Sequence, residues 1–110
     1  MADRPRFGYN LARMRFAIKL APEAIEDLRG LSASERARVR DALEAHLRHE
    51  PTKVSRSRIK RLRGLSRPQF RLRVEDIRVF YDVVEDSVEV LAIVSKAEAS
   101  SWLEKFGNLG

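Results

Sequence analysis

Cysteine is absent from this sequence, and with it any disulfide framework or thiolate metal site. That absence is compatible with a cytoplasmic setting. Long apolar runs are missing too. Nothing approaches the roughly 20 residues of a membrane span, so no membrane partner is expected. The first residues, MADRPRFGYNLARMRF, carry charges but no apolar core segment and no small-residue cleavage site. They do not read as a secretion signal. Tryptophan occurs once, at Trp102. Acidic residues are scarce where basic ones gather. Between Lys53 and Arg78 stand Lys53, Arg56, Arg58, Lys60, Arg61, Arg63, Arg67, Arg71, Arg73 and Arg78, opposed only by Glu75 and Asp76.

That window carries +8 of a chain whose total is +6, so the rest sums to −2. The positive charge is a patch rather than a bias. Such a patch attracts polyanions over about a Debye length, roughly 8–10 Å, and speeds encounter. RNA, DNA and an acidic protein all satisfy it, and a polyanion or acidic partner explains it better than a merely solvated surface. With 110 residues, 44% of them hydrophobic, the chain supports one globular domain with one modest core.

Residues 1–13 read as a flexible N-terminal extension, with Met14 a candidate natural start. Residues 14–106 read as the domain and 107–110 as a C-terminal tail. Phe16, Ile18 and Leu20 alternate with Arg15, Ala17 and Lys19, which predicts a half-buried strand. Pro22 and Glu23 suit a helix start, and Gly30 its end. Ser32 and Glu35 have capping-box spacing. Val39, Ala42, Leu43, His46 and Leu47 then form a helical stripe, predicting a helix from about 33 to 49, with Pro51 beyond it. These two helices should form an antiparallel hairpin covering a sheet.

The segment 53–67 has no clear period. QFRLRV, IRVFYDVV and SVEVLAIV read as three strands joined by tight turns, an antiparallel meander. Ser95 and Glu98 repeat the capping spacing, and Ala99, Trp102, Leu103 and Phe106 mark a terminal helix. The order is β-α-α-β-β-β-α: an α+β domain whose helical hairpin packs on one face of the meander, with the helices expected together on that side. No internal repeat is visible.

Within the meander, arginine alternates with apolar residues. Arg71 and Arg73 share a face of their strand, and Arg78 follows on the next. Adjacent strands can bring such side chains together, depending on register. The guanidinium's rigid fork favours bidentate phosphate contacts. The alternative is an outer face in which Arg78 pairs with Asp76 or Asp82. Tyr81 reads as a core aromatic, and Trp102 as packing on its stripe. His46 and His49 lie three apart, but no clear third metal ligand accompanies them.

Taken in order, FAIKLAPEAIEDLRGL, KRLRGL at 60–65 and FRLRVEDIRVFYDVVEDSVEVLAIVSK at 70–96 resemble the RelE/ParE superfamily of toxins from bacterial type II toxin–antitoxin modules. The likeness spans about residues 14–106. Some members of that superfamily cleave mRNA on the ribosome; others poison DNA gyrase. The resemblance implies a cytoplasmic toxin, held silent by a cognate antitoxin and with operator DNA reached through it. Its first expectation is a ribosome-dependent mRNA endoribonuclease, with a gyrase inhibitor or a catalytically weak antitoxin-binding member as alternatives. It implies no cofactor and no metal. Matching strand positions assign Arg71, Arg73 and Arg78 to the scissile phosphate. Lys96, just after the last strand, joins them as a catalytic candidate, either a phosphate contact or a solvated turn residue. Lys60, Arg61, Arg63 and Arg67 are the RNA-binding candidates. RNA-cleaving members often carry a basic residue after the last strand and a tyrosine near the C-terminus. Here those positions fall at Ala97 and at Trp102 or Leu103, so Lys96 and Glu98 are the nearest titratable groups, Glu98 reading first as a helix cap.

Overall fold

A computed structural model describes residues 14–109. The extension, residues 1–13, lies outside the described residues. The elements are β1 (Ala17–Leu20), α1 (Pro22–Arg29), α2 (Ala33–Ala42), β2 (Ile59–Arg61), β3 (Leu65–Arg67), β4 (Phe70–Val74), β5 (Ile77–Val84), β6 (Ser87–Ser95), α3 (Ala99–Phe106) and β7 (Asn108–Leu109). The predicted α+β order is present, with three short additions. β2 and β3 occupy the basic segment that shows no period, and β7 pairs with β3 where the sequence suggests a tail. A three-residue strand is too short for alternation to be legible.

The main sheet has the order β1-β6-β5-β4-β2. β2, β4, β5 and β6 are antiparallel neighbours, whereas β1 runs parallel to β6 at the edge. Both two-residue hairpin turns place a glutamate at positive φ, Glu75 at 55° and Glu85 at 57°. Beyond the end of β1, the Asp27 carboxylate accepts from the Ile93 backbone N–H at 3.0 Å. α1 is thereby tied to β6 just past the sheet's bulge.

α2 begins at a complete capping box. Ser32 Oγ accepts from the Glu35 N–H at 3.2 Å, and the Glu35 carboxylate accepts from the Ser32 N–H at 3.0 Å. Glu35's carboxyl is held below its usual range, first by the backbone bond from Ser32. Ser32→Ala should destabilise the protein by about 1 kcal/mol, read as a shift in the urea midpoint at unchanged slope. The helix continues to Leu47, but its last turn, Leu43–Leu47, widens to π geometry. Val39, Leu43 and Leu47 form the buried stripe.

This stripe and Ala24 of α1 meet the sheet face carrying Phe70, Leu72, Val74, Val79 and Tyr81. Tyr81 is fully buried, stacks on Phe70 at 5.4 Å and donates its hydroxyl to the Pro51 carbonyl at 2.6 Å. The loop after α2 is thus pinned to the central strand. Burial pushes the phenol well above its ordinary pKa, so it does not titrate near neutrality. Tyr81→Phe leaves that buried carbonyl without its donor, for an expected loss of about 1–3 kcal/mol in denaturant unfolding.

α3 departs from the expectation that all helices lie together. Trp102 stacks on Phe80, 4.9 Å between ring centroids and 7° from parallel. Phe80 pairs with Arg71 and Ala92 in register, on the face opposite the helical hairpin. An apolar face on α3 does not reveal which side of a sheet it will cover. Phe80 supplies the apolar spot that decides it.

Candidate nucleic-acid interface

Register settles the arrangement of the arginines. Arg73 lies directly opposite Arg78, and Arg71 opposite Phe80. Lys60 lies opposite Arg71 from the other side. Residues opposite each other in a ladder share a face. Lys60, Arg71, Arg73, Arg78 and Phe80 therefore share the face away from the helical hairpin.

Arg78 is 7% exposed. Its guanidinium donates to two backbone carbonyls, Glu75 at 2.6 Å and Ile77 at 3.1 Å. These bonds hold the head in place without neutralising it. The alternative pairing of Arg78 with Asp82 is absent, and Asp82 is engaged elsewhere. That carboxylate, 5% exposed, accepts from the Gln69 N–H at 2.7 Å and pairs with Arg67 at 3.3 Å. Burial raises Asp82's pKa, against the lowering from Gln69 and Arg67. Asp76 forms no ion pair with Arg78 among the described residues, although its charge opposes the downward shift of that guanidinium.

Arg71 is half-buried, and its Nε is buried without a hydrogen-bond partner. Its pKa is lowered by burial first, then by Arg78 and Arg73. Arg78's is lowered by burial, then by Arg73. A guanidinium nevertheless stays protonated. Among the described residues no carboxylate forms an ion pair with Arg71, Arg73 or Arg78. Crowded, partly buried like charges are unfavourable to folding, and an anion seated among them relieves both repulsion and lost hydration.

The other candidates divide. Lys60 extends the arginine face at its edge and is exposed. Arg61 pairs with Phe70 on the helix-side face, its guanidinium 5.0 Å from the Phe70 ring centroid. Arg63 is exposed between β2 and β3. Arg67 is held by both Asp82 and Glu89, the latter at 3.1 Å. Its charge is already balanced.

Lys96 is exposed in a short 3₁₀ turn after β6, and its backbone N–H bonds the Asp76 carbonyl at 2.7 Å. That bond places Lys96 at the sheet end where Arg73 and Arg78 lie. Glu98 follows; its backbone N–H and carboxylate both engage Ser95 Oγ, as the capping spacing suggests. Ala97 is exposed, and Trp102 is committed to Phe80. The histidines stay apart in role. His49 Nδ1 lies 2.9 Å from the Met14 carbonyl, whereas His46 is half-buried with its pKa lowered by burial and then by Arg58. Among the described residues no group of His, Cys, Asp and Glu is placed to hold a metal ion. No described helix is long and apolar enough to cross a membrane.

Sequence reasoning did not find the unpartnered Arg71 Nε or the Phe80–Trp102 stack. A signal for the second existed: Phe80 keeps period-two spacing with Arg78.

The fold is shared with solved toxins. A double arginine-to-alanine mutant of the Escherichia coli toxin RelE, in the free state, superposes with a TM-score of 0.63 at 22% identity, over 83% of this chain and 93% of that one. The RelBE2 toxin–antitoxin complex of Mycobacterium tuberculosis matches at 0.61 and 23% identity, over 74% and 98%. The YoeB dimer of Staphylococcus aureus matches at 0.57 and 15%, over 73% and 95%. At these identities the likeness is one of fold. Comparison with curated proteins gives no match. A family model described as "ParE toxin of type II toxin-antitoxin system, parDE" matches residues 18–99. The chain therefore belongs to the ParE toxin family of type II toxin–antitoxin systems, within the RelE/ParE superfamily.

Proposed function

We propose that this toxin is a ribosome-dependent mRNA endoribonuclease that stops translation. One observation carries the reading: Arg71, Arg73 and Arg78 gather on the sheet face away from the helical hairpin without a carboxylate pair, and Arg71 Nε lacks a partner. That is a site built for a phosphate rather than a solvated surface.

In the proposed reaction a 2′-hydroxyl attacks the adjacent phosphorus and the 5′ oxygen leaves. Charge develops on the non-bridging oxygens, where the fixed guanidiniums of Arg71, Arg73 and Arg78 stabilise it. Arg78 is suited to this by its backbone anchors, which let it act without reorganising. Proton transfer falls to Lys96, a titratable side chain at that end of the sheet, assisted by ribosomal RNA or water. Lys60 and Arg63 extend the contact to flanking phosphates. Arg61 joins them from the strand edge, and Arg67 does so only by releasing Asp82 and Glu89. No cofactor is required. The cognate antitoxin silences the toxin by laying an acidic segment over the same face, and it mediates any contact with operator DNA. The solved RelBE2 complex supports an antitoxin partner.

A second reading, inhibition of DNA gyrase, is favoured by Ala97 and Trp102, which carry no transferable proton where RNA-cleaving relatives have a base and a tyrosine. The two separate in purified systems. The proposal predicts that the toxin stops a reconstituted translation reaction and cuts its mRNA within codons, leaving gyrase supercoiling intact. Blocked supercoiling with whole mRNA would establish the second reading instead.

A further inference from the structure

We infer that the cavity between α3 and β6 is a nucleobase pocket that selects guanine. The inference rests on the RNA reading of the arginine face and adds a specificity site to it. The cavity, of about 240 Å³, is lined by Val94, Glu98, Ser101, Trp102, Lys105 and Phe106. Its volume lies below the roughly 300 Å³ floor of drug-sized ligand sites, which suits a single base. Val94 is the register partner of Arg78, so the cavity opens one strand away from the proposed phosphate site. A base held there belongs to a nucleotide next to the phosphate on the arginines.

The lining has the character that base recognition needs. Trp102 and Phe106, in tilted contact at 5.4 Å between centroids, form one aromatic side whose Phe106 ring is open to a base, and aromatic contact with a base is worth about 1–3 kcal/mol. Phe106 is 59% exposed, a large apolar surface that packing within the described residues does not explain. A second cavity uses the same two aromatics on the side of Arg67. There the guanidinium is already neutralised by Asp82 and Glu89, so nothing positive is left to hold the attached phosphate.

The polar groups choose the base. The Glu98 carboxylate accepts from Ser95 Oγ at 3.1 Å through one oxygen. A carboxylate has about four acceptor sites and no donor, so capacity remains for donors in the cavity. Guanine alone presents two adjacent donors, N1–H and the 2-amino group, matching a carboxylate. Adenine and cytosine set an acceptor beside their amino group, and uracil flanks its single N–H with carbonyls. Lys105 suits guanine's O6 and N7 acceptors, a pairing familiar from nucleic-acid readout.

Trp102 is the only tryptophan, so its fluorescence reports on this cavity directly. The test titrates the full chain with guanosine, adenosine, cytidine and uridine 5′-monophosphates. Contacts to phosphate are common to all four, so selectivity isolates the base. Saturable quenching by the guanosine nucleotide at an affinity at least about tenfold above the others is expected. Glu98→Gln keeps the bond from Ser95 but offers a mixed donor–acceptor edge, and it should abolish that preference. Phe106→Leu, at an exposed position, should weaken all four nucleotides alike and serves if the first variant does not fold. Absence of saturable quenching, equal quenching by all four, or a preference unchanged in folded Glu98→Gln would each overturn the pocket. The parent reading fails separately. Selective guanosine binding without mRNA cleavage would keep the pocket and remove the nuclease, whereas cleavage without selective binding would do the reverse.

Discussion

Arg73→Ala is expected to slow mRNA cleavage by about 100-fold or more, the usual consequence of removing one fixed donor from a developing oxyanion. Thermal unfolding should stay close to that of the parent protein. The reason lies in where Arg73 sits. It is exposed, directly opposite Arg78, and its charge lowers the pKa of both Arg71 and Arg78. Truncating it removes no buried contact and relieves like-charge repulsion, so stability should change by less than about 0.5 kcal/mol. Cleavage in a translating extract and a melting curve on the same preparation check both halves. A folded variant that cleaves at the parent rate would remove Arg73 from the chemistry.

One residue earlier the outcome reverses. Leu72→Ala should destabilise the domain by about 2–5 kcal/mol through lost transfer energy and the cavity left behind. For a domain of this size that lowers the melting temperature by about 10 °C or more. Leu72 is 0% exposed and pairs with Ile59 on one side and Val79 on the other, beneath the helical hairpin. Activity measured well below the new melting point should remain, because the arginine face is untouched. Calorimetry on both variants would show the contrast between adjacent residues. A mild effect of Leu72→Ala on melting would mean that the core repacks around the loss. Successive side chains of a strand point to opposite faces, so one substitution tests the site and its neighbour tests the fold.

That alternation is also why much of this protein was legible beforehand. FRLRV declares its two faces by pattern, IRVFYDVV reads as a central strand apolar on both faces except at Arg78 and Asp82, and the capping spacing at Ser32 marks the start of α2, which the structure places there. The arginines could be assigned to a face but not to one another, because their meeting depends on the β4–β5 register. The length of the turn at Glu75 and Asp76 fixes that register. The fate of Arg67 was hidden for a related reason. It is neutralised by Asp82 and Glu89, which face each other across β5 and β6 and are remote from it in sequence. The side of the sheet taken by α3 was likewise invisible, since one stacked pair, Phe80 with Trp102, decides it.

The account's central claim is that the arginine face acts on the phosphates of translated mRNA. Mapping mRNA 5′ ends in a bacterium shortly after induced expression of this chain tests it most directly. The account predicts new ends within codons, present only where ribosomes are translating, and absent with Arg73→Ala. Growth arrest with intact mRNA would contradict it and direct the same basic face to gyrase.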